Sequence, residues 1–194
     1  MRVESGDLAL EGHAAVAEFE MKQGDIVEFM LGGADDENVR ATQCDCDLKS
    51  TAEYWQHWSR HSNYRGRWRE TVNRSALALK LLTSRKHGGI VAAATFGLPE
   101  EEGGERNWDY RYTWIRDASF TVYAFMRLGY TDEANAFMQW VRERMGDCCD
   151  DSTTLGILYS LDGREELPEE NLSHLSGYGG ATPVRIGNEA YKQT

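Results

Sequence analysis

The spacing of apolar residues differs between the N-terminal segment and most of the chain after it, and that difference constrains the fold more than any other feature. Residues 1–33 alternate apolar and polar positions in DLALEG, AAVAEFEM and DIVEFMLGG, with turn residues at Lys22–Asp25. Alternation with period two is typical of β-strands. In the segments 51–83 and 114–145, apolar residues recur every three or four positions, which is typical of helices. The sequence therefore predicts a mainly α protein with an N-terminal β portion.

Capping and turn residues divide the rest of the chain. The acidic segment 34–47 predicts a linker, and Gly129 predicts the end of a helix. Thr113 and Thr131 predict the caps of the helices that follow them. Asp-Gly at 162–163 predicts a hairpin turn. The expected helices span about 51–58, 64–83, 114–128 and 131–145, with another beginning near 188.

Charge and composition restrict the class of partner. The net charge is −11 and no dense Lys/Arg cluster is present, so we expect no nucleic-acid partner. An acidic protein is better suited to a neutral substrate. No stretch approaches the ~20 apolar residues of a membrane span, and the N-terminus lacks the apolar core of a secretion signal. We therefore expect no membrane partner and a cytoplasmic location.

Cysteine and histidine spacing argues against a metal centre. The four cysteines occur as one C-x-C pair and one vicinal pair, and neither has the C-x-x-C spacing of a zinc site. His57 and His61 are four residues apart in HWSRH, but the general-base Glu of H-E-x-x-H is missing. We expect reduced thiols, no metal and no cofactor.

The segment 106–118 (RNWDYRYTWIRDA) contains the most informative residues. Its aromatic residues occupy every second position, so an extended chain places them on one face and the residues between them on the other. Arg116 and Asp117 follow directly and open a helix. A hydrophobic core would account for the aromatic face, but it accounts poorly for an adjacent cation and anion, because burying an ion pair costs desolvation.

A sugar ligand would satisfy all of these groups together. A carboxylate such as Asp117 accepts protons from two neighbouring hydroxyls, and a guanidinium such as Arg116 donates a fixed fork of hydrogen bonds. Aromatic rings cover the apolar C–H face of a pyranose. The residues alone leave two interpretations open, a carbohydrate site and a buried structural ion pair.

Glycoside cleavage requires two carboxyl groups, one acting as acid and the other as base or nucleophile. Asp117 lies beside a cation, which favours its charged form, so we expect it to bind rather than to donate a proton. No other carboxylate is assigned to catalysis by its spacing. The remaining candidates are Glu100, Asp109, Glu165 and Glu166.

Several motifs, in this order, resemble glycoside hydrolase family 15, the glucoamylases and related prokaryotic-type trehalases. The central one is GERNWDYRYTWIRDASFT. The resemblance extends from about Tyr54 to the C-terminus. The other motifs are YRGRWRETVNRSALALKLL, GGIVAAATFGLPE, RLGYTDEANAFMQWV, GILYSLDGREELPE and TPVRIGN.

The resemblance implies a fold and a division into domains. Family members have an (α/α)6 toroid, which in prokaryotic members follows a β-sandwich. Residues 1–40 would then be the last strands of the sandwich, 41–62 a linker with a helix, and 63–194 the first part of the toroid. We expect self-association through toroid helices left exposed.

The resemblance also implies an activity and a set of binding residues. Members are inverting hydrolases of α-glucosidic bonds, and their acid and base glutamates lie downstream of the segment matched here, so we expect no catalytic residue in this chain. The loop 177–183 departs from the usual GYRGSRP, with Gly179 and Thr182 in place of arginines. The implied substrate-binding residues are Tyr110, Trp114, Arg116, Asp117 and Arg185.

Three functional alternatives remain open at this stage. The substrate is trehalose in one and a starch-type oligosaccharide in another, because the matched segment contacts only the glucose common to both. In a third, the chain is a non-catalytic carbohydrate-binding or interaction protein derived from such an enzyme.

Overall fold

A computed structural model describes residues 2–3, 9–12, 14–25, 27, 29–30, 44–145 and 155–193. The chain divides into two compact units, Met1–Trp58 and Ser59–Thr194.

The first unit contains short antiparallel strands. β1 (Arg2–Val3) pairs with β4 (Phe29–Met30), and β2 (Ala9–Glu11) pairs with β3 (Ala14–Val16). The predicted turn is present: the Asp25 amide donates to the Lys22 carbonyl at 3.0 Å, and the Lys22 amide donates to Asp25 Oδ2 at 2.8 Å. It separates β3 from β4, which pair with other strands and not with each other.

The first helix begins earlier than the sequence predicts. α1 spans Cys44–Ser59, so the last four residues of the predicted linker 34–47 form its first turn. An acidic residue near a helix N-terminus, such as Asp47, is favourable because the helix dipole is positive there. The rest of the predicted linker lies outside the described residues.

The second unit contains three further helices. α2 spans Arg69–Leu81, α3 spans Ile115–Leu128 and α4 spans Thr131–Met145. α2 is shorter than the predicted 64–83, and Gly66 just before it is a poor helix former. α3 ends at Gly129 as predicted, with a φ of 91° at the glycine and a hydrogen bond from its amide to the Met126 carbonyl at 3.2 Å.

The core of this unit lies between α3 and α4. Trp140 is almost fully buried, stacks on Phe137 at 5.7 Å and meets Tyr159 edge-on at 5.7 Å. Its indole nitrogen donates to the Leu161 carbonyl at 2.9 Å. An ion pair of 2.8 Å between Lys80 and the buried Glu133 joins α2 to α4. The other core residues on the two helices are Ala118, Val122, Phe125, Ala134 and Val141.

Two short strand pairs connect loops to this core. β5 (Thr113–Trp114) pairs with β6 (Leu158–Tyr159), and β7 (Glu170–Asn171) pairs with β8 (Arg185–Ile186), both antiparallel. Short 3₁₀ helices cover Tyr178–Gly180 and Glu189–Lys192.

The prediction that Thr113 caps α3 is wrong. Thr113 is a fully buried strand residue, and the helix cap is Trp114, which makes no side-chain capping bond. The predicted turn at 162–163 is present, but β6 before it pairs with β5 and not with a strand after the turn. The Gly163 amide donates to the Ser160 carbonyl at 3.0 Å, and Gly163 has a φ of 91°, a value that favours glycine.

The mainly helical class with a few short strands is confirmed in this coarse form. The toroid, the sandwich and the domain boundaries at 40 and 62 stay predictions. Within the described residues, no helix has the length and apolar character that a membrane crossing requires.

One face of α3 carries large apolar side chains in contact with solvent. Phe120, Tyr123 and Met126 are 72%, 61% and 59% exposed. We therefore expect the chain to self-associate, and the double variant Phe120→Ser/Tyr123→Ser to be more monomeric, because burial of this face would drive association.

Sedimentation velocity over a range of concentrations tests this expectation. Leu175→Ser, which removes an apolar side chain exposed elsewhere in the same unit, is the matched control. An unchanged distribution in the double variant would contradict the prediction.

Candidate functional site

The segment 107–114 buries three of its polar residues, while Arg111 is exposed and the aromatic residues lie nearer the surface. Asn107, Asp109 and Thr113 are 0%, 1% and 0% exposed. The alternating aromatic residues are only half-buried: Trp108, Tyr110, Tyr112 and Trp114. Apart from Arg111, burial therefore alternates along the run, and the aromatic residues do not form the core, although the Tyr112 hydroxyl reaches the same Gly187 amide as Asp109.

Hydrogen bonds to a neighbouring segment hold this run extended. The Tyr110 amide donates to the Thr95 carbonyl at 2.9 Å. The amides of Ala92 and Ala93 donate to the carbonyls of Tyr112 and Tyr110 at 2.9 and 3.0 Å. The segments GIVAAATFGLPE and RNWDYRYT therefore lie side by side.

The buried carboxylate of Asp109 organises the polar side. Oδ1 accepts from Arg111 Nε at 2.9 Å and from the Arg111 amide at 3.1 Å, and Oδ2 accepts from Arg111 Nη2 at 2.8 Å. The Gly187 amide also donates to Oδ2 at 3.3 Å. These bonds offset the desolvation of a carboxylate that is otherwise removed from water.

The same contacts attach the loop 183–188 to the aromatic run. Asn188 Nδ2 donates to the Asp109 carbonyl at 3.1 Å, and Asn107 Nδ2 donates to the Pro183 carbonyl at 3.0 Å. The Gly187 amide also reaches the Tyr112 hydroxyl at 3.1 Å. Residues more than 70 positions apart in the sequence thus form one small polar core.

Tyr110 and Trp114, two of the predicted binding residues, lie together. Their ring centroids are 6.0 Å apart and the planes are tilted by 43°. The Tyr110 hydroxyl donates to Glu100 Oε1 at 3.4 Å. Burial, with a further contribution from the Glu100 charge, raises the pKa of Tyr110. The phenol therefore stays protonated and able to donate at neutral pH.

Arg116 and Asp117 form an ion pair on the first turn of α3. Arg116 Nε and Nη2 lie 3.2 and 3.1 Å from Asp117 Oδ2. The side chains are 76% and 44% exposed, so the pair is not enclosed by aromatic rings and the desolvation argument made from the sequence does not apply. Within the described residues no hydrogen bond or ion pair involves Asp117 Oδ1, which leaves that oxygen available as an acceptor.

Arg185, the fifth predicted binding residue, makes its contacts elsewhere. Its Nη1 donates to the Glu105 carbonyl at 3.1 Å, and its Nε lies 3.8 Å from Glu169 Oε2. Its guanidinium lies over the Trp108 ring at 4.9 Å. In the described part of the chain, its contacts are not with Tyr110, Trp114 or the ion pair.

The loop with the unusual glycines lies beside the same region. The Tyr178 amide donates to the Gly97 carbonyl at 2.9 Å. Gly179 has a φ of 63°, which an arginine at this position would adopt only with strain. The departures from GYRGSRP are therefore compatible with the backbone of this chain.

Glu100 is the contact that sequence reasoning did not place. It was one of several unassigned carboxylates, and it lies ten residues before Tyr110 with a turn between them. Arg106 Nη1 approaches its other oxygen at 3.4 Å. No spacing rule links these positions, because the loop geometry brings them together. No group of three or more potential metal ligands occurs among the residues that the structure describes.

The family is identified by a sequence model for glycosyl hydrolases family 15, which matches residues 66–194. The chain belongs to this family. Its match covers both the aromatic run and the loop 183–188 that the Asp109 contacts join.

Curated relatives of the chain include several trehalases. The chain is 40% identical over 188 residues to a trehalase of Mycobacterium tuberculosis, covering 96% of this chain and 28% of the relative. It is 44% identical over 146 residues to a trehalase of Thermoplasma acidophilum, covering 75% of this chain and 24% of the relative. The chain thus spans only about a quarter of these relatives. No solved structure matches it.

Removing the Asp109 carboxylate should destabilise the second unit. We expect Asp109→Ala to lower the free energy of unfolding by about 2–3 kcal/mol, because the Gly187 amide and part of Arg111 lose a buried acceptor. This loss is smaller than that for breaking a fully buried ion pair, because the Arg111 side chain is 43% exposed and water can replace part of its bonding.

Urea denaturation measures this change. Glu101→Ala, which removes an exposed loop carboxylate, is the control and should change stability by less than about 0.5 kcal/mol. Equal stability of the two variants would show that Asp109 does not organise the site.

Proposed function

We propose that this chain provides the wall of a pocket that binds the terminal glucose of an α-glucoside, in an inverting family 15 glycosidase. The observation that carries the proposal is the position of Tyr110 and Trp114. Their rings are half-buried and 6.0 Å apart, and one residue separates Trp114, at the N-terminal cap of α3, from the Arg116–Asp117 ion pair.

Each of these groups has a distinct role in binding a sugar. Asp117 accepts hydroxyl protons through Oδ1, and Arg116 donates through the edge that does not face Asp117. The Tyr110 and Trp114 rings cover apolar C–H groups of the pyranose. Because the ion pair is exposed, water occupies these positions before a sugar does, and the sugar replaces it with hydroxyls of fixed geometry.

Arg185 has the least support among the proposed binding residues. Its contact with the Trp108 ring favours a supporting role for the aromatic run. Direct contact with glucose would require a ligand that reaches beyond Tyr110 toward the loop 183–188.

The reaction of a complete family enzyme follows from its two carboxyl groups. One protonates the leaving oxygen, and the other activates water on the opposite side of the ring, at a separation of about 6.5–9.5 Å. We propose that neither carboxyl group is supplied by this chain. Its contribution is to position the sugar, which lowers the entropic part of the barrier.

Trehalose is the substrate that the comparisons favour, since the relatives described above are named trehalases. The alternative function is a non-catalytic carbohydrate-binding or interaction protein derived from the enzyme. The two share the same glucose contacts and differ only in whether catalytic carboxylates are supplied.

Substitution of the ion pair tests the binding role. We expect Asp117→Asn to raise the Kd for trehalose about tenfold, because a charge-assisted hydrogen bond is lost. The Kd is read from the amide signals of residues 116 and 117. NMR titration of the full chain measures this. Glu101→Gln is the matched control, and an unchanged Kd at these signals in Asp117→Asn would contradict the proposal.

Measurement of glucose release tests catalysis separately from binding. We expect the chain by itself to release no glucose from trehalose, maltose or starch above a blank, because positioning without an acid and a base does not cleave the bond. Turnover that disappears in Asp117→Asn would show that the acid–base pair lies within these residues.

A further inference from the structure

A cavity of about 380 Å³ lies beside the residues that follow β6. It forms where the turn 160–164 faces the end of the aromatic run. Tyr110, Trp114, Arg116 and Asp117 do not line it. The lining residues are His87, Arg111, Tyr112, Ser160, Leu161, Asp162 and Arg164.

Two guanidinium groups in the cavity are each neutralised by a carboxylate two residues earlier. Arg111 uses Nε and Nη2 for Asp109. Arg164 Nε lies 3.3 Å from both oxygens of Asp162. The local charge therefore sums to zero when His87 is neutral, and the whole chain carries −11. An anion gains little attraction from such a site.

The paired guanidiniums nevertheless keep donors for a ligand. Within the described residues, no hydrogen bond or ion pair uses Arg111 Nη1 or the two terminal nitrogens of Arg164. The Arg111 guanidinium also packs over the Phe96 ring at 4.2 Å, which limits its freedom to turn. The free N–H groups are thus held in directions set by the ion pairs.

Acceptors and hydroxyl groups lie beside these donors. Ser160 Oγ donates to Asp162 Oδ1 and accepts from the Arg164 amide at 2.8 Å. The Tyr112 hydroxyl accepts from the Gly187 amide at 3.1 Å, and burial raises the pKa of Tyr112, so its own proton remains for donation. Leu161 and the Tyr112 ring add apolar surface.

We propose that this cavity is a second carbohydrate-binding site, which takes one ring of a neutral saccharide. Hydroxyl groups donate and accept at once, and they match a site that alternates guanidinium donors with carboxylate and hydroxyl acceptors. The volume lies within the range of about 300–1,000 Å³ that small-molecule sites occupy. The site is independent of the proposed glucose pocket at Arg116–Asp117.

Two variants test this site with little effect on the fold. Arg164 is 71% exposed, and the hydrogen bond of His87 in the described residues is made by its backbone amide. In the full chain titrated with trehalose, the amide signals of Gly163 and Arg164 should shift. Their Kd should rise about tenfold in Arg164→Gln and about fivefold in His87→Ala.

The NMR amide signals of residues near each site distinguish this cavity from the proposed glucose pocket. Shifts at residues 116 and 117 should persist in both cavity variants, and Arg142→Gln, which removes an exposed guanidinium on α4, should change neither site. Three results would each overturn the second site: no shift at Gly163 with trehalose or glucose, an unchanged Kd in both variants, or a response there to sulfate alone. A response at Gly163 without one at Asp117 would support the second site and contradict the glucose pocket.

Discussion

A buried carboxylate with four donors, Asp109, is the interaction on which the second unit depends. It accepts from the side chain and amide of Arg111 and from the Gly187 amide. Removing a carboxylate from water is costly unless its lone pairs are satisfied, so these partners must be held close to it. The result is that the aromatic run and the loop 183–188 have a single relative position.

This constraint determines which face of the run remains accessible. With Asn107, Asp109 and Thr113 on the inside, the alternating aromatic residues cannot also be buried there. Tyr110 and Trp114 are left at the boundary with solvent, beside the N-terminus of α3. The accessible position of these two rings is therefore a consequence of burying polar residues, the reverse of the usual arrangement of a strand on a hydrophobic core.

Short sequence patterns were sufficient to predict several turns and helix ends. Gly129 ends α3 because a left-handed residue is needed there, and Gly163 forms the turn for the same reason. Thr113 does not cap α3, because it pairs with Tyr159 in a strand and is buried there. The helix cap is the next residue, Trp114. Glu100 could not be placed because the loop between it and Tyr110 brings the two together, and Arg185 could not be placed because its contact with Trp108 joins residues far apart in the sequence.

The sequence by itself determined the family, the order of the helices α1 to α4, and the alternation of aromatic and polar residues from 107 to 114. These follow from short-range chemistry and from motifs that lie within a few residues of one another. Only the tertiary structure decided which side of the run faces inward, because that depends on donors from Gly187 and Asn188 that meet Asp109 across nearly 80 residues. It also decided that the Arg116–Asp117 pair is exposed, because that depends on what packs around the first turn of α3.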